Sequence, residues 1–190
     1  VVLMAEFAET DRSRAYFGTD ARVHTILVGA LLALVLHRLP PVGRTAIVDY
    51  AHTPDALLNV IKTIQHILKG KAQLITVVGC GGNRDKTKRP EMGKIAAIKS
   101  SRAVFTSDNP RDEDPHEIIQ EMMLGVPVED QRKVLCITDR KEAIRTAIAL
   151  SYPGDVILIS GKGHETYQEI NGIRYDFDDR KITINELNPE

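Results

Sequence analysis

Net charge is nearly missing from this 190-residue chain: 25 basic and 26 acidic side chains leave a formal charge of -1. A surface with no excess of either sign has no electrostatic footprint for nucleic acid or for a polybasic membrane contact, and neither partner is expected. Cysteine is scarce as well. Cys80 and Cys136 are separated by neither a metal-type nor a Cys-x-x-Cys spacing, so no disulfide framework is expected at this size and the cytoplasm is the default compartment. Long apolar runs are also lacking. Ile26–Leu36 is too short to span a bilayer and reads as a buried helix. Asp11, Arg12 and Arg14 precede it at a distance and no clean cleavage site follows, which argues against a signal peptide and against membrane insertion. No Gly-x-x-x-x-Gly-Lys-[Ser/Thr] phosphate loop occurs, because Asp85 stands where the glycine before Lys86-Thr87 would be. The dinucleotide fingerprint fails too: Gly79-Cys80-Gly81 matches its start, but Arg84 replaces the third glycine, which argues against a Rossmann oxidoreductase.

What the chain does have is hydrophobic content of 43%, enough for a real core in one domain of moderate size. Residues 1–44 differ from the rest. Val1–Arg14 is weakly patterned, and His24–Leu39 reads as a helix apolar on nearly every face, stopped by Pro40-Pro41. Such a helix needs neighbours, and the first methionine is Met4, so residues 1–44 are expected to be a remnant or linker.

From Thr45 the pattern alternates. Short apolar runs at Thr45–Val48, Gln73–Val78, Ala103–Thr106, Lys133–Ile137 and Asp155–Ser160 predict strands. Helices are predicted between them. The first is opened by Thr53-Pro54-Asp55, with a capping hydroxyl, a proline at the first helical position and an acid at the positive helix end, and is closed by Gly70. The others run over about Pro90–Ser100, Pro115–Leu124 and Arg140–Leu150. Asn171-Gly172 predicts a hairpin over Tyr167–Phe177, and a last short helix starts near Asp178. Repeated strand–helix units imply an α/β fold: a Rossmann-like, open, mostly parallel sheet with helices on both faces and a C-terminal hairpin.

In such a sheet ligands sit beyond the carboxyl ends of the strands, and four polar segments fall there. Asp108-Asn109-Pro110-Arg111 pairs a planar guanidinium with an amide on a proline-stiffened turn, a combination suited to an amino-acid head group. Local chemistry alone favours an ordinary strand-to-helix turn. Gly79–Arg89 is glycine-rich and then basic, and reads equally as a solvated loop or as a cradle for phosphates or carboxylates. Asp49-Tyr50-Ala51-His52 offers a carboxylate, a phenol and an imidazole, but helix capping with one satisfied histidine explains it as well. Gly161-Lys162-Gly163-His164-Glu165 reads as a flexible loop or as a carboxylate for an ammonium group. Convergence of all four on one rim favours a site.

In order and spacing these four segments resemble the C-terminal domain of the Mur ligase family over about residues 45–187. The likeness is greatest to its UDP-N-acetylmuramoyl-tripeptide synthetase (MurE-type) branch. The resemblance implies an ATP-dependent ligase that forms an acyl phosphate on a nucleotide-linked peptide and joins an amino acid to it. It makes residues 45–190 the amino-acid-binding domain and residues 1–44 a linker or the end of a central ATPase domain. Asp-Asn-Pro-Arg implies selection of meso-diaminopimelate over lysine. Carried over, Arg84, Asp108, Asn109, Pro110, Arg111, Gly161 and Glu165 would hold diaminopimelate. Arg84 and Arg111 would take carboxylates, while Asp108 and Glu165 would take ammonium groups or orient the arginines. Asp49, His52, Lys86 and Lys88 would lie near ATP. No catalytic residue or metal ligand is assigned to this chain. ATP, Mg2+ and UDP-N-acetylmuramoyl-dipeptide would be held mainly by other domains, so these residues alone are expected to be inactive. Two alternatives stay open: a non-catalytic module for a dicarboxylic amino acid, and a lysine-adding relative.

Overall fold

The computed structural model describes residues 2–5, 43–68 and 72–188. The apolar runs form strands β2 (Thr45–Asp49), β3 (Leu74–Val78), β4 (Arg102–Phe105), β5 (Val134–Cys136) and β6 (Val156–Ser160). Every residue of β3 and β6 is buried, as required of strands covered on both faces. Five strands run parallel in the order β2-β6-β3-β4-β5. β1 (Val2–Ala5) adds an antiparallel edge against β2. The sequence pattern does not predict β1, since an edge strand takes its place from backbone pairing rather than from a two-sided apolar run. The helix expected over His24–Leu39 and the stop at Gly70 lie outside the described residues.

Alternation along the strands splits the core into two layers. Ile47, Leu74, Val78 and Leu158 face Leu57, Ile61 and Ile64 of α1 (Pro54–Leu68), Met92 and Ala96 of α2 (Lys88–Lys99), and Ile118 and Met122 of α3 (Pro115–Met123). Ala46, Val48, Ile75, Val77, Ile157 and Ile159 face Ala143, Ile144 and Ala147 of α4 (Arg140–Ala149) and Leu187 of α5 (Asp179–Leu187). Helix starts follow their caps. Thr53 Oγ1 accepts from the Ala56 amide at 3.4 Å, Asp114 from His116 at 2.8 Å, Asp139 from Glu142 at 2.9 Å and Asp178 from Arg180 at 2.9 Å. A short 3₁₀ turn over Val128–Lys133 leads into β5.

The hairpin forms as β7 (Tyr167–Ile170) and β8 (Ile173–Asp176) around Asn171-Gly172, whose φ values of 50° and 73° suit a primed turn. All four rim segments leave the sheet at the carboxyl ends of β2, β3, β4 and β6, as the strand–helix alternation requires.

α2 and α3 touch backbone to backbone: a Cβ on Gly93 would lie 2.1 Å from the Met122 carbonyl oxygen. Gly93→Ala is therefore expected to destabilise the fold by about 3 kcal/mol through overpacking. Urea unfolding checks this, and a midpoint equal to that of the native chain would refute the close approach.

Candidate functional site

The Asp108–Arg111 turn is built into the fold on three sides. Asn109 is buried and its amide makes three hydrogen bonds: Oδ1 accepts from Lys162 Nζ at 2.7 Å and from the Glu169 amide at 3.0 Å, and Nδ2 donates to Glu165 Oε2 at 2.9 Å. Arg111 has a left-handed φ of 52°, a conformation that costs a non-glycine residue free energy unless neighbours hold it. The hairpin holds it, since Arg111 N donates to the Glu169 carbonyl at 3.0 Å and its carbonyl accepts from Asn171 N at 2.8 Å. Gln168 Nε2 donates to the Asp108 carbonyl at 2.7 Å. An ordinary strand-to-helix turn needs none of these constraints.

The glycine loop lies directly on this turn. A Cβ on Gly82 would meet the Pro110 carbonyl oxygen at 1.9 Å, and Gly82 N donates to the Asn109 carbonyl at 2.9 Å. Arg111 Nη1 donates to the Gly82 carbonyl at 2.8 Å. A Cβ on Gly81 would lie 3.0 Å from Arg111 Nη1 and 3.6 Å from Arg84 Cγ, so the two arginines flank this glycine. Arg84 is exposed and has no hydrogen bond or ion pair among the described residues. Arg89, wholly buried, ties the loop down. Its guanidinium takes Glu113 in a two-point pair at 2.9 and 3.0 Å, Glu121 at 2.7 Å and the Gly81 carbonyl at 3.2 Å. Glu113 in turn accepts from Asn83 N at 2.5 Å.

The β6 segment supplies the centre. Lys162 is fully buried, and its ammonium donates to Asn109 Oδ1 and, at 2.8 Å, to the Tyr167 carbonyl. Asp108 Oδ1 lies 3.3 Å and Glu165 Oε2 3.6 Å from the same nitrogen. The two carboxylates that were expected to take ammonium groups or orient arginines therefore share this lysine, and neither is within ion-pair distance of Arg84 or Arg111 among the described residues. Arg111 is oriented instead by Glu169, at 3.6 Å. Gly161, at φ 119°, packs against Asp108: a Cβ there would lie 3.5 Å from Oδ2.

Beside this pocket stands the β2 segment. Asp49 is buried, its Oδ1 accepts from Ala51 N at 2.8 Å, and burial pushes its carboxyl above the usual range. It acts on the turn rather than facing outward. His52 is exposed, with Nδ1 2.8 Å from the Tyr50 carbonyl oxygen, and Lys88 Nζ donates to the His52 carbonyl at 2.9 Å. Lys86 points elsewhere, pairing with Glu113 at 2.8 Å. Tyr50 lies between the His52 and His164 rings, with centroids 4.7 and 5.3 Å away. Burial and then Glu165 and Asp108 push its phenol up. Burial raises the Cys80 thiol to about 12, which makes it a packing group and not a nucleophile. Among the described residues no group of three or more His, Cys, Asp and Glu side chains is placed to hold a metal ion. No described helix is long and apolar enough to cross a membrane.

The family model for the Mur ligase, glutamate ligase domain matches residues 37–163. The chain belongs to the Mur ligase family. It is 61% identical over 142 residues to the UDP-N-acetylmuramoyl-L-alanyl-D-glutamate-2,6-diaminopimelate ligase of Bacteroides thetaiotaomicron, covering 75% of this chain and 30% of that protein. The enzyme of the same name from Cytophaga hutchinsonii is 61% identical over 143 residues, covering 75% and 29%. A solved structure of a ligase of that name superposes with a TM-score of 0.70 at 45% identity, covering 76% of this chain and 29% of the other. The chain thus spans about 30% of the length of the curated Mur ligases it matches.

Sequence reading did not assign Lys162, Gln168 or Glu169 to the site, although Lys162 lies inside a motif it singled out. The signal that was available is the pair of glycines around a lysine at a strand end. The hairpin residues carry none, because their partners at Ser107, Asp108, Asn109 and Arg111 lie about sixty residues away in the chain.

The knot beneath this Mur ligase pocket predicts an acid response. Hydrogen bonds from Arg89 and then Lys86 hold the Glu113 carboxyl down at about 2, against an ordinary 4.5. A depressed value stabilises the fold above pH 4.5, and that contribution is lost as pH falls toward about 2. Glu113→Gln is expected to flatten this part of the stability-versus-pH curve and to cost about 3 kcal/mol at neutral pH, by leaving a buried guanidinium underpaired. Urea midpoints measured across pH test both effects; an unchanged acid limb would contradict them.

Proposed function

We propose that this chain is the amino-acid-binding part of an ATP-dependent ligase that adds meso-diaminopimelate to UDP-N-acetylmuramoyl-L-alanyl-D-glutamate in peptidoglycan synthesis. The observation that carries the reading is the pocket itself: Arg84 and Arg111 flank Gly81, while Asp108 and Glu165 gather around Lys162 a few residues away. That arrangement sets Arg84 and Arg111 apart from Asp108 and Glu165, which suits the far end of diaminopimelate, where a carboxylate and an ammonium group share one carbon. Arg111 has an edge beyond its bond to Gly82 with which to meet the carboxylate. Of the two carboxylates, Glu165 is the more exposed and would take the ligand's ammonium, while buried Asp108 Oδ1 faces Lys162 at 3.3 Å. The names of the relatives support the same substrate.

Lysine has no carboxylate at its far end. Bound here it would leave the free edge of Arg111 without the carboxylate it would otherwise pair with, and that cost disfavours a lysine-adding enzyme. In the ligase reaction the carboxyl of the nucleotide-linked peptide receives phosphate from ATP, and the amine of diaminopimelate then displaces that phosphate to form an amide. This chain's share is positioning: it fixes the far end of the amino acid so that the near amine approaches in one orientation. His52 and Lys88 stand together at the rim, where the edge of a nucleotide would fit, with Asp49 setting their turn. Lys86, committed to Glu113, would have to exchange partners to reach a phosphate. No step is assigned to Mg2+ on these residues. An enzyme that consumes ATP and a UDP-linked precursor works where both nucleotides are held, so we place it in the cytoplasm. Residues 45–190 are the proposed domain, and residues 1–44 its connection to a central domain.

Titration calorimetry tests this reading. The chain is expected to bind meso-diaminopimelate in preference to L-lysine, and Arg111→Ala is expected to weaken meso-diaminopimelate by about 2–3 kcal/mol through loss of a charge-assisted pair. Equal affinity for the two amino acids, or no effect of the substitution, would overturn it. With ATP and meso-diaminopimelate the 190 residues alone are expected to release no phosphate, because they contain no phosphate-loop sequence; clear turnover would refute that part.

A further inference from the structure

We infer that Lys162, the buried lysine at the centre of the pocket, is a specificity-determining residue that sets the pocket's charge so that a zwitterionic terminus is preferred to a bare ammonium terminus. The inference rests on the diaminopimelate reading above and deepens it.

An ammonium has three donors and no acceptor. Two of those of Lys162 are spent on Asn109 Oδ1 and the Tyr167 carbonyl, and the side facing Asp108 and Glu165 meets both carboxylates within 3.6 Å. The group is wholly buried and fully committed, so it acts through its neighbours and does not itself take the ligand. Its first effect is on Asn109. With Oδ1 accepting from Lys162 and from Glu169 N, Nδ2 has to point toward Glu165. Lys162 and the Glu169 amide together fix which way the Asn109 amide faces.

The second effect is on charge. Around the pocket stand three cations, Arg84, Arg111 and Lys162, and three carboxylates, Asp108, Glu165 and Glu169. Behind them Arg140 and Asp179 form a buried pair that cancels itself, with Nε and Nη2 at 2.9 and 2.8 Å from the carboxylate oxygens. These six groups sum to zero, and removing the Lys162 ammonium would leave them one net negative charge. A balanced pocket suits the far end of meso-diaminopimelate, whose carboxylate and ammonium also cancel. The far end of lysine brings one uncompensated positive charge into the same place. Without Lys162 the pocket would hold one surplus negative charge, and the preference would move toward lysine.

The test uses the native chain and two substitutions. Lys162→Gln keeps a hydrogen-bond donor for Asn109 but removes the charge; Lys162→Met removes both. Affinities for meso-diaminopimelate and L-lysine are measured by calorimetry on each, with circular dichroism to confirm folding. The ratio favouring meso-diaminopimelate is expected to fall at least about tenfold in Lys162→Gln, with lysine binding unchanged or tighter, a change of about 1.4 kcal/mol in discrimination. A purely structural role would weaken both ligands by the same factor, and that result, or an unchanged ratio, overturns the inference. Should the variants fail to fold, the native chain still decides. A slowly exchanging ammonium signal in a lysine-selective 1H–15N spectrum is expected to shift with meso-diaminopimelate and less with lysine. Its absence, or its indifference to saturating meso-diaminopimelate, overturns the inference. A native chain that binds neither amino acid but shows the protected ammonium refutes the diaminopimelate reading, and the specificity role with it.

Discussion

The bond from the Lys162 ammonium to the Asn109 side-chain oxygen is the contact on which the rest of the pocket hangs. It joins the turn after β4 to the loop after β6, and through the Tyr167 carbonyl it draws in the hairpin. Taking an ammonium out of water costs on the order of several kcal/mol, even after the surroundings relax. Here the loss is offset by two short hydrogen bonds and two carboxylates, so the charge is retained and aimed. A hydrophobic side chain of similar size would pack in the same space, but it would leave Asp108 and Glu165 with no cation between them.

Two further buried arginines frame this centre. Arg89 binds Glu113 and Glu121 beneath the glycine loop, and Arg140 binds Asp179 while donating to the Ser160 carbonyl at 3.1 Å, at the end of β6. Pairs of this kind stabilise little in net terms, because desolvation nearly cancels attraction. Their effect is positional. Each fixes one edge of the rim, so the loops that would meet a ligand are held from beneath and not by each other alone. Arg111 shows the consequence: it sits in a left-handed conformation that the hairpin backbone enforces, and its guanidinium is braced by Gly82 and Glu169.

Much of the fold was legible in the sequence because strands buried on both faces must be apolar throughout, and Leu74–Val78 and Val156–Ser160 are nearly so. The Thr53-Pro54-Asp55 start was readable through local capping chemistry that needs no distant partner, and the structure adds caps at Asp114, Asp139 and Asp178. The gathering of the four polar segments on one rim was legible for a related reason, since parallel strands send their carboxyl-end loops to one edge. Partnering was not. Lys86 and Arg89 look alike in a basic run, yet one is exposed on Glu113 and the other is buried beneath Gly81. Asp108 and Glu165 lie far apart in the chain and meet over Lys162 only when β4 and β6 flank β3 with their carboxyl ends on the same edge of the sheet.

The sequence by itself determined the strand–helix alternation, the rim on which the four polar segments gather and the residue types available there, because these follow from periodicity and from short-range turn and cap chemistry. Only the tertiary structure decided which cation serves which carboxylate, that the hairpin belongs to the pocket, and that a lysine lies at its centre. Those choices depend on distances between segments dozens of residues apart, and such distances exist only once the sheet has set its strand order.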